Sequence, residues 1–251
     1  MDWDMEMYDE DQHFAMRAQS TAINEELGQV QIIFSDKTGT LTCNIMEFKK
    51  FSSVSMAYDT TKMEEGDNMI NTNQPMDFNE NPDGLVYKNE KELDAILNDT
   101  YNSEHAALNE VLMHLAVCHT VVVDKNKGVY NAASPDELAL VDGAKSLGYV
   151  FVGREPDNIL LVRDKAGYEK RFKLLNVLEF NSTRKRMSVI VQNMQTGYIE
   201  LYCKGADNII AERLVKGYPQ HDKQIERTMA YVEQFSKEGL RTLLLAKKDL
   251  S

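Results

Sequence analysis

The run Asp36-Lys37-Thr38-Gly39-Thr40-Leu41-Thr42 places a carboxylate, a cation, hydroxyls and a glycine in immediate succession, directly after the apolar stretch Gln29 to Ser35. An aspartate at a strand end can attack a γ-phosphate in line and form an acyl phosphate, which divides one difficult displacement into two steps. Negative charge then meets negative charge, so such a site needs a divalent cation, a lysine or backbone donors. Lys37 can supply charge, Gly39 lets the backbone approach phosphate oxygens, and Thr38 and Thr40 offer hydroxyls.

A second set of residues could hold a nucleotide. Glu179-Phe180-Asn181-Ser182-Thr183-Arg184-Lys185-Arg186 puts an aromatic ring beside three cations at a strand-to-strand corner. An adenine ring stacks on a flat apolar face, and phosphates need cations within a nucleotide's length. Lys204-Gly205-Ala206 sits at an expected strand end, and Gly239-Leu240-Arg241-Thr242-Leu243 carries an arginine at an expected strand start. Each of these alone is equally a core aromatic or a solvated edge.

The elements that must position these groups follow from pattern. Gln29 to Ser35 suits a strand of a covered parallel sheet. A short helix is expected around Phe14 to Arg17, and a β-prone stretch over Met46 to Tyr58. Residues 59–90, rich in Asn, Asp, Glu and Gly, read as a mobile acidic loop. Leu93, Ile96 and Leu97, then Leu108, Val111, Leu112 and Leu115, recur at helical spacing. His114 and His119 are five apart and share a helix face poorly, so a metal site there is not expected. Ser134-Pro135-Asp136-Glu137 starts a helix, with Ser134 as cap, that runs to about Leu147. Strands are expected at Tyr149–Gly153, Asn158–Arg163, Tyr168–Phe180, Lys185–Gln192 and Tyr198–Cys203, joined by short turns and hence antiparallel. Helices at about Asp207–Val215 and Gln220–Glu238 and a strand Arg241–Lys247 complete the chain.

Composition bounds the function. The 251 residues are 43% hydrophobic and 27% charged, ordinary values for a folded protein. A net charge of -12 argues against nucleic acid as a partner, which needs a basic face, and equally against docking on anionic lipid, so no nucleic-acid partner is expected. The three cysteines Cys43, Cys118 and Cys203 form no Cys-x-x-Cys pair and fit a reducing compartment. No stretch approaches the roughly 20 apolar residues of a spanning helix.

The heptapeptide from Asp36 to Thr42 resembles the phosphorylation signature of P-type ATPases at every position. Ser134-Pro135-Asp136-Glu137, Glu179-Phe180, Lys204-Gly205-Ala206 and Gly239-Leu240-Arg241-Thr242-Leu243 follow in the order of that family's nucleotide-binding domain. The wording Asn24-Glu25-Glu26-Leu27-Gly28-Gln29, Thr42-Cys43-Asn44 and Tyr202-Cys203-Lys204 looks like the phospholipid-transporting branch. The resemblance implies an α+β fold: an antiparallel sheet flanked by helices over residues 46–251, preceded in residues 1–45 by one strand of an incomplete haloacid-dehalogenase-like α/β domain.

It further implies Asp36 as nucleophile, Mg2+ held by the Asp36 carboxylate and the Thr38 carbonyl, and Lys37 and Thr38 near the transferred phosphate. Phe180 would stack on adenine, Glu137 accept from the adenine amine, Lys204 line base and ribose, and Arg241 reach the phosphates, with Ser182 and Lys185 as further ATP contacts. Where ion pumps often carry arginine, Ser182 departs from the pattern. A full-length relative would be a multi-pass membrane enzyme moving phospholipid between leaflets, with an accessory membrane subunit and this segment on the cytosolic side. The Thr-Gly-Asp and Gly-Asp-Gly motifs of a complete phosphorylation domain are absent from these 251 residues, so the segment alone is expected to be a monomer that binds ATP without turnover. The competing expectations are a nucleotide-sensing module without turnover and a cation pump; Thr38 disfavours a soluble phosphatase.

Overall fold

The computed structural model describes residues 8–9, 13–15, 17, 28–37, 39–43, 45–53, 56–60, 87–124 and 128–251. Thr38 and most of the expected acidic loop, residues 61–86, lie outside the described residues. The chain divides into two compact units, Met1–Asn44 and Ile45–Ser251.

In the first unit, β1 (Tyr8–Asp9) pairs antiparallel with β2 (Phe14–Ala15), where a helix was expected. Gln29 to Ser35 departs from expectation too. It takes no strand pairing, and Val30, Ile32, Ile33 and Phe34 are exposed. A parallel-sheet strand needs hydrogen-bonded neighbours, and among the described residues of this unit none flanks the run.

The second unit is α+β, as expected, and its frame is a six-stranded antiparallel sheet. Its strands are β8 (Val150–Glu155), β9 (Ile159–Arg163), β10 (Glu169–Leu178), β11 (Arg186–Asn193), β12 (Ile199–Gly205) and β13 (Leu244–Asp249), adjacent in chain order. Short connections make the meander possible from β8 to β12, whereas residues 206–243 separate β12 from β13. Asp157 and Asn158 occupy left-handed backbone at φ 63° and 58°, a conformation their short polar side chains tolerate. Period-two alternation sends Phe151, Leu160, Val162, Phe172, Val189, Val191 and Tyr202 into one core.

Three helices close that core. α1 (Glu90–Asn98) begins at a reciprocal capping box, in which Asn89 Oδ1 accepts from the Glu92 amide and Glu92 Oε2 from the Asn89 amide, both at 3.0 Å. Its buried Leu93, Ile96 and Leu97 meet Leu108 and Leu112 of α2 (His105–Val117) in the same core. Fully burying one such side chain stabilises by about 1.5–3 kcal/mol. β6 (Val122–Asp124) and β7 (Val129–Asn131) form a hairpin that leads to α3 (Pro135–Ser146). Ser134 holds the cap position, but its hydroxyl makes no capping hydrogen bond; its carbonyl accepts from the Leu138 amide at 3.2 Å.

A small sheet ties the other end of the chain down. β3 (Lys50–Ser53) pairs antiparallel with β4 (Met56–Asp59), and β4 parallel with β5 (Tyr87–Lys88). The expected loop of residues 59–90 is therefore strand at both described margins. After β12 come α4 (Asp207–Ala211), shorter than expected, and α5 (Pro219–Lys237). Tyr87 packs edge-on against Tyr231 of α5 at 5.9 Å, and Lys50 reaches Glu238 at 2.6 Å. α5 stops in a Schellman turn, with Leu240 N–H on the Phe235 carbonyl and Gly239 N–H on that of Ser236, both at 3.0 Å. No helix among the described residues is long and apolar enough to cross a membrane.

Candidate functional site

The sheet register gathers five of the expected residues at one end of the sheet. β10 ends at Leu178 and β11 starts at Arg186, so Phe180, Ser182 and Lys185 lie in the connection between them. β12 ends at Gly205, opposite Arg186 on one side and Leu244 on the other, which puts Lys204 at the same end and Arg241 just before β13. Glu137 arrives from the first turn of α3 and lies beside Lys204.

The connection is held by its own backbone. Asn181 Oδ1 accepts from the Arg184 amide at 2.7 Å, the Asn181 carbonyl accepts from the Lys185 amide at 2.8 Å, and Arg184 Nη1 donates to the Glu179 carbonyl at 3.0 Å. Lys185 then takes left-handed backbone at φ 51°, a strained conformation for a residue with a β-carbon, and its carbonyl accepts from the Ala206 amide at 3.0 Å. A Cβ on Gly205 would stand 2.5 Å from that carbonyl oxygen, so only glycine lets β12 end this close to the corner. On this rigid corner Phe180 is 63% exposed, an aromatic face turned to solvent. Ser182 and Lys185 are exposed beside it.

Behind the corner lies a buried ion pair. Lys204 Nζ is 3.0 Å from Glu137 Oε1, and the side chains are 8% and 13% exposed. Glu137 Oε2 accepts from the Thr120 amide at 3.2 Å and from its hydroxyl at 2.6 Å. Burial pushes the Glu137 carboxyl upward, but the Lys204 ammonium and the Thr120 hydrogen bonds outweigh it and hold it below the usual carboxylate range. Lys204 Nζ and Glu137 Oε1 partner each other at 3.0 Å, and an ammonium with three donors beside a carboxylate oxygen with two lone pairs keeps further hydrogen-bonding capacity. Nearer solvent, Arg241 Nη2 lies 3.2 Å from Asp136 Oδ2.

The two histidines do not face each other as ligands. His119 is buried with Nε2 2.9 Å from the Ala116 carbonyl and Nδ1 accepting from the Val121 amide at 3.1 Å, which assigns the neutral Nε2–H tautomer. His114 packs edge-on against Tyr202 at 5.0 Å, with a buried Nε2 that has no hydrogen-bond partner.

Asp36 and Lys37 belong to the first unit and are exposed. Their loop turns on itself: the Lys37 carbonyl accepts from the Leu41 amide at 3.0 Å and from the Thr42 hydroxyl at 3.3 Å, with Gly39 at φ 82°. An exposed carboxylate on such a turn is of the type that supplies one of the one or two carboxylates of a Mg2+ site.

Thr120 was not singled out by sequence, and Asp136 was read as part of the helix start and the family motif but not as a site residue. No spacing rule links position 120 to 137; only the approach of the end of α2 to the start of α3 does.

Comparison with known proteins adds to this geometry. The family model described as P-type ATPase, cytoplasmic domain N, matches residues 107–251. Phospholipid-transporting ATPase DRS2 of Saccharomyces cerevisiae is 41% identical over 99% of the chain and 18% of its own length. Phospholipid-transporting ATPase IK of Mus musculus is 42% identical over 100% of the chain and 18% of its own length. Phospholipid-transporting ATPase ID, also of Mus musculus, is 40% identical over 100% and 20%. The chain thus spans about a fifth of the length of these relatives.

Proposed function

This chain belongs to the P-type ATPases, and on that footing we propose that residues 46–251 bind ATP for a phospholipid-transporting member of the family. The carrying observation is the buried pair Glu137–Lys204, an acceptor beside a donor with unfilled hydrogen-bonding capacity. Adenine presents the matching edge, the N6 amine as donor beside a ring nitrogen as acceptor, whereas guanine presents O6 and N7, two acceptors, on that edge. Glu137 receives the amine and Lys204 donates to the ring nitrogen. Phe180 stacks on the base, and Ser182, Lys185 and Arg241 lie toward the ribose and phosphates.

Residues 1–45 carry the start of the phosphorylation domain. The Asp36 carboxylate attacks the γ-phosphorus in line; the new O–P bond forms as the anhydride bond breaks, and ADP leaves. Lys37 and Thr38 stand beside the transferred group. The Asp36 carboxylate and the Thr38 carbonyl would hold Mg2+, which would supply charge neutralisation for the phosphates. In the whole protein this cycle drives phospholipid between leaflets of a membrane, with this segment on the cytosolic side and an accessory membrane subunit as partner. The names of the relatives support the lipid substrate, because their identity extends over essentially the whole chain.

Amide chemical shifts recorded during ATP titration test the pocket. Saturable shifts concentrated in 134–138, 179–187, 204–206 and 239–242 are expected. Shifts confined to other parts of the fold would contradict it.

A further inference from the structure

We propose that Thr120 is a positioning residue that sets the base preference of this pocket; the proposal rests on the nucleotide reading above. Thr120 spends both of its donors on one oxygen, Glu137 Oε2, through the amide at 3.2 Å and the hydroxyl at 2.6 Å. A glutamate's terminal torsion is soft and roughly two-fold, so without this grip the carboxylate would rotate toward the ammonium and engage it through both oxygens. With Oε2 taken up by Thr120, Oε1 is kept facing Lys204 Nζ at 3.0 Å, and an acceptor and a donor with capacity for a further partner stay side by side.

The grip is itself braced. Thr120 follows α2 in a turn that His119 closes with both ring nitrogens, Nε2 on the Ala116 carbonyl and Nδ1 on the Val121 amide. The His119 ring sits edge-on to Phe151 at 4.4 Å. One residue earlier, Cys118 Sγ lies 3.7 Å from the Tyr202 carbonyl of β12, two residues before Lys204. Thr120 and Lys204 are therefore referenced to the same strand, and the loop carrying one cannot drift from the other without breaking these contacts.

The test compares the non-hydrolysable analogues of ATP and GTP on the unaltered chain, Thr120→Val, Thr120→Ser and Lys204→Ala, with the Glu137 carboxyl titrated by 13C NMR. Loss of a hydrogen bond to a charged group predicts that Thr120→Val weakens the ATP analogue by about tenfold while leaving the GTP analogue little changed. It should also raise the Glu137 carboxyl pKa, and Thr120→Ser should restore both readouts.

Unchanged binding in Thr120→Val alongside weakened binding in Lys204→Ala overturns the role of Thr120 and leaves the pocket standing. Unchanged binding in both overturns the pocket as well. Equal weakening of both analogues with no change in the Glu137 titration also overturns the proposal, since that is a merely structural effect. Should Thr120→Val fail to fold, the unaltered chain decides: the Thr120 amide must shift on the same saturation curve as the Lys204 amide, and a Thr120 amide unmoved at saturation refutes it.

Discussion

Glu137 and Lys204 meet 3.0 Å apart with side chains only 13% and 8% exposed, and Thr120 holds the carboxylate from its far side. Breaking one partner of such a pair leaves the other charge buried without compensation. Glu137→Gln is therefore expected to destabilise the fold by about 3–5 kcal/mol. A double variant, Glu137→Gln with Lys204→Met, should recover part of that loss, because the stranded ammonium is gone. Urea denaturation of the two single variants and the double gives the coupling directly.

Phe180 should separate binding from folding. At 63% exposure its truncation leaves no cavity, so Phe180→Ala is expected to alter stability by less than about 0.5 kcal/mol. Loss of base stacking, about 1–3 kcal/mol, should still weaken ATP by roughly 5- to 150-fold in a calorimetric titration.

Much of this arrangement was legible in sequence, for definite reasons. The six strands of the sheet announce themselves through alternation between turn residues such as Ala166-Gly167 and Thr196-Gly197. The helix from Pro135 announces itself through proline and two acids in its first turn. Three-residue strands carry too few alternations to be seen, so the hairpin of Val122–Asp124 with Val129–Asn131 escaped. Gln29 to Ser35 misled in the opposite direction, because an apolar run names a strand only where neighbours exist to pair with it. The expected nucleotide residues of the second unit meet at one sheet end, yet the Glu137–Lys204 ion pair and the Thr120 grip are products of packing alone.

Stability should fall on mild acidification. Burial first, and the Lys204 charge second, push His114 down to about 3 and His119 down to about 4, below the roughly 6.5 of an unfolded histidine. Between those values the unfolded chain binds more protons than the folded one. The stability is therefore fully present above about pH 6.5 and is lost as pH falls, at roughly 1.4 kcal/mol per histidine per pH unit. Going from pH 7 to 5.5 should cost about 2 kcal/mol in urea unfolding. His114→Phe, which keeps the edge-on contact with Tyr202 and removes the unpartnered nitrogen, should halve the slope.

Gly205→Ala tests the close approach at the corner. The added methyl would stand 2.5 Å from the Lys185 carbonyl oxygen and 2.7 Å from the Arg186 Cα, both backbone atoms that cannot swing aside. Overpacking of this kind costs about 1–3 kcal/mol. Nucleotide affinity should fall with it, since the shift separates Lys185 from Lys204, and thermal denaturation beside ATP titration reports both.

The proposed ATP pocket takes in Phe180 and Lys204 at this end of the sheet. Its most direct test is calorimetric titration of ATP into the unaltered chain, Phe180→Ala and Lys204→Ala under one condition, with folding verified by circular dichroism. Saturable binding to the unaltered chain and at least fivefold weaker binding to each folded variant, roughly a 1 kcal/mol loss, are expected. ATP affinity unchanged in both folded variants would contradict the pocket.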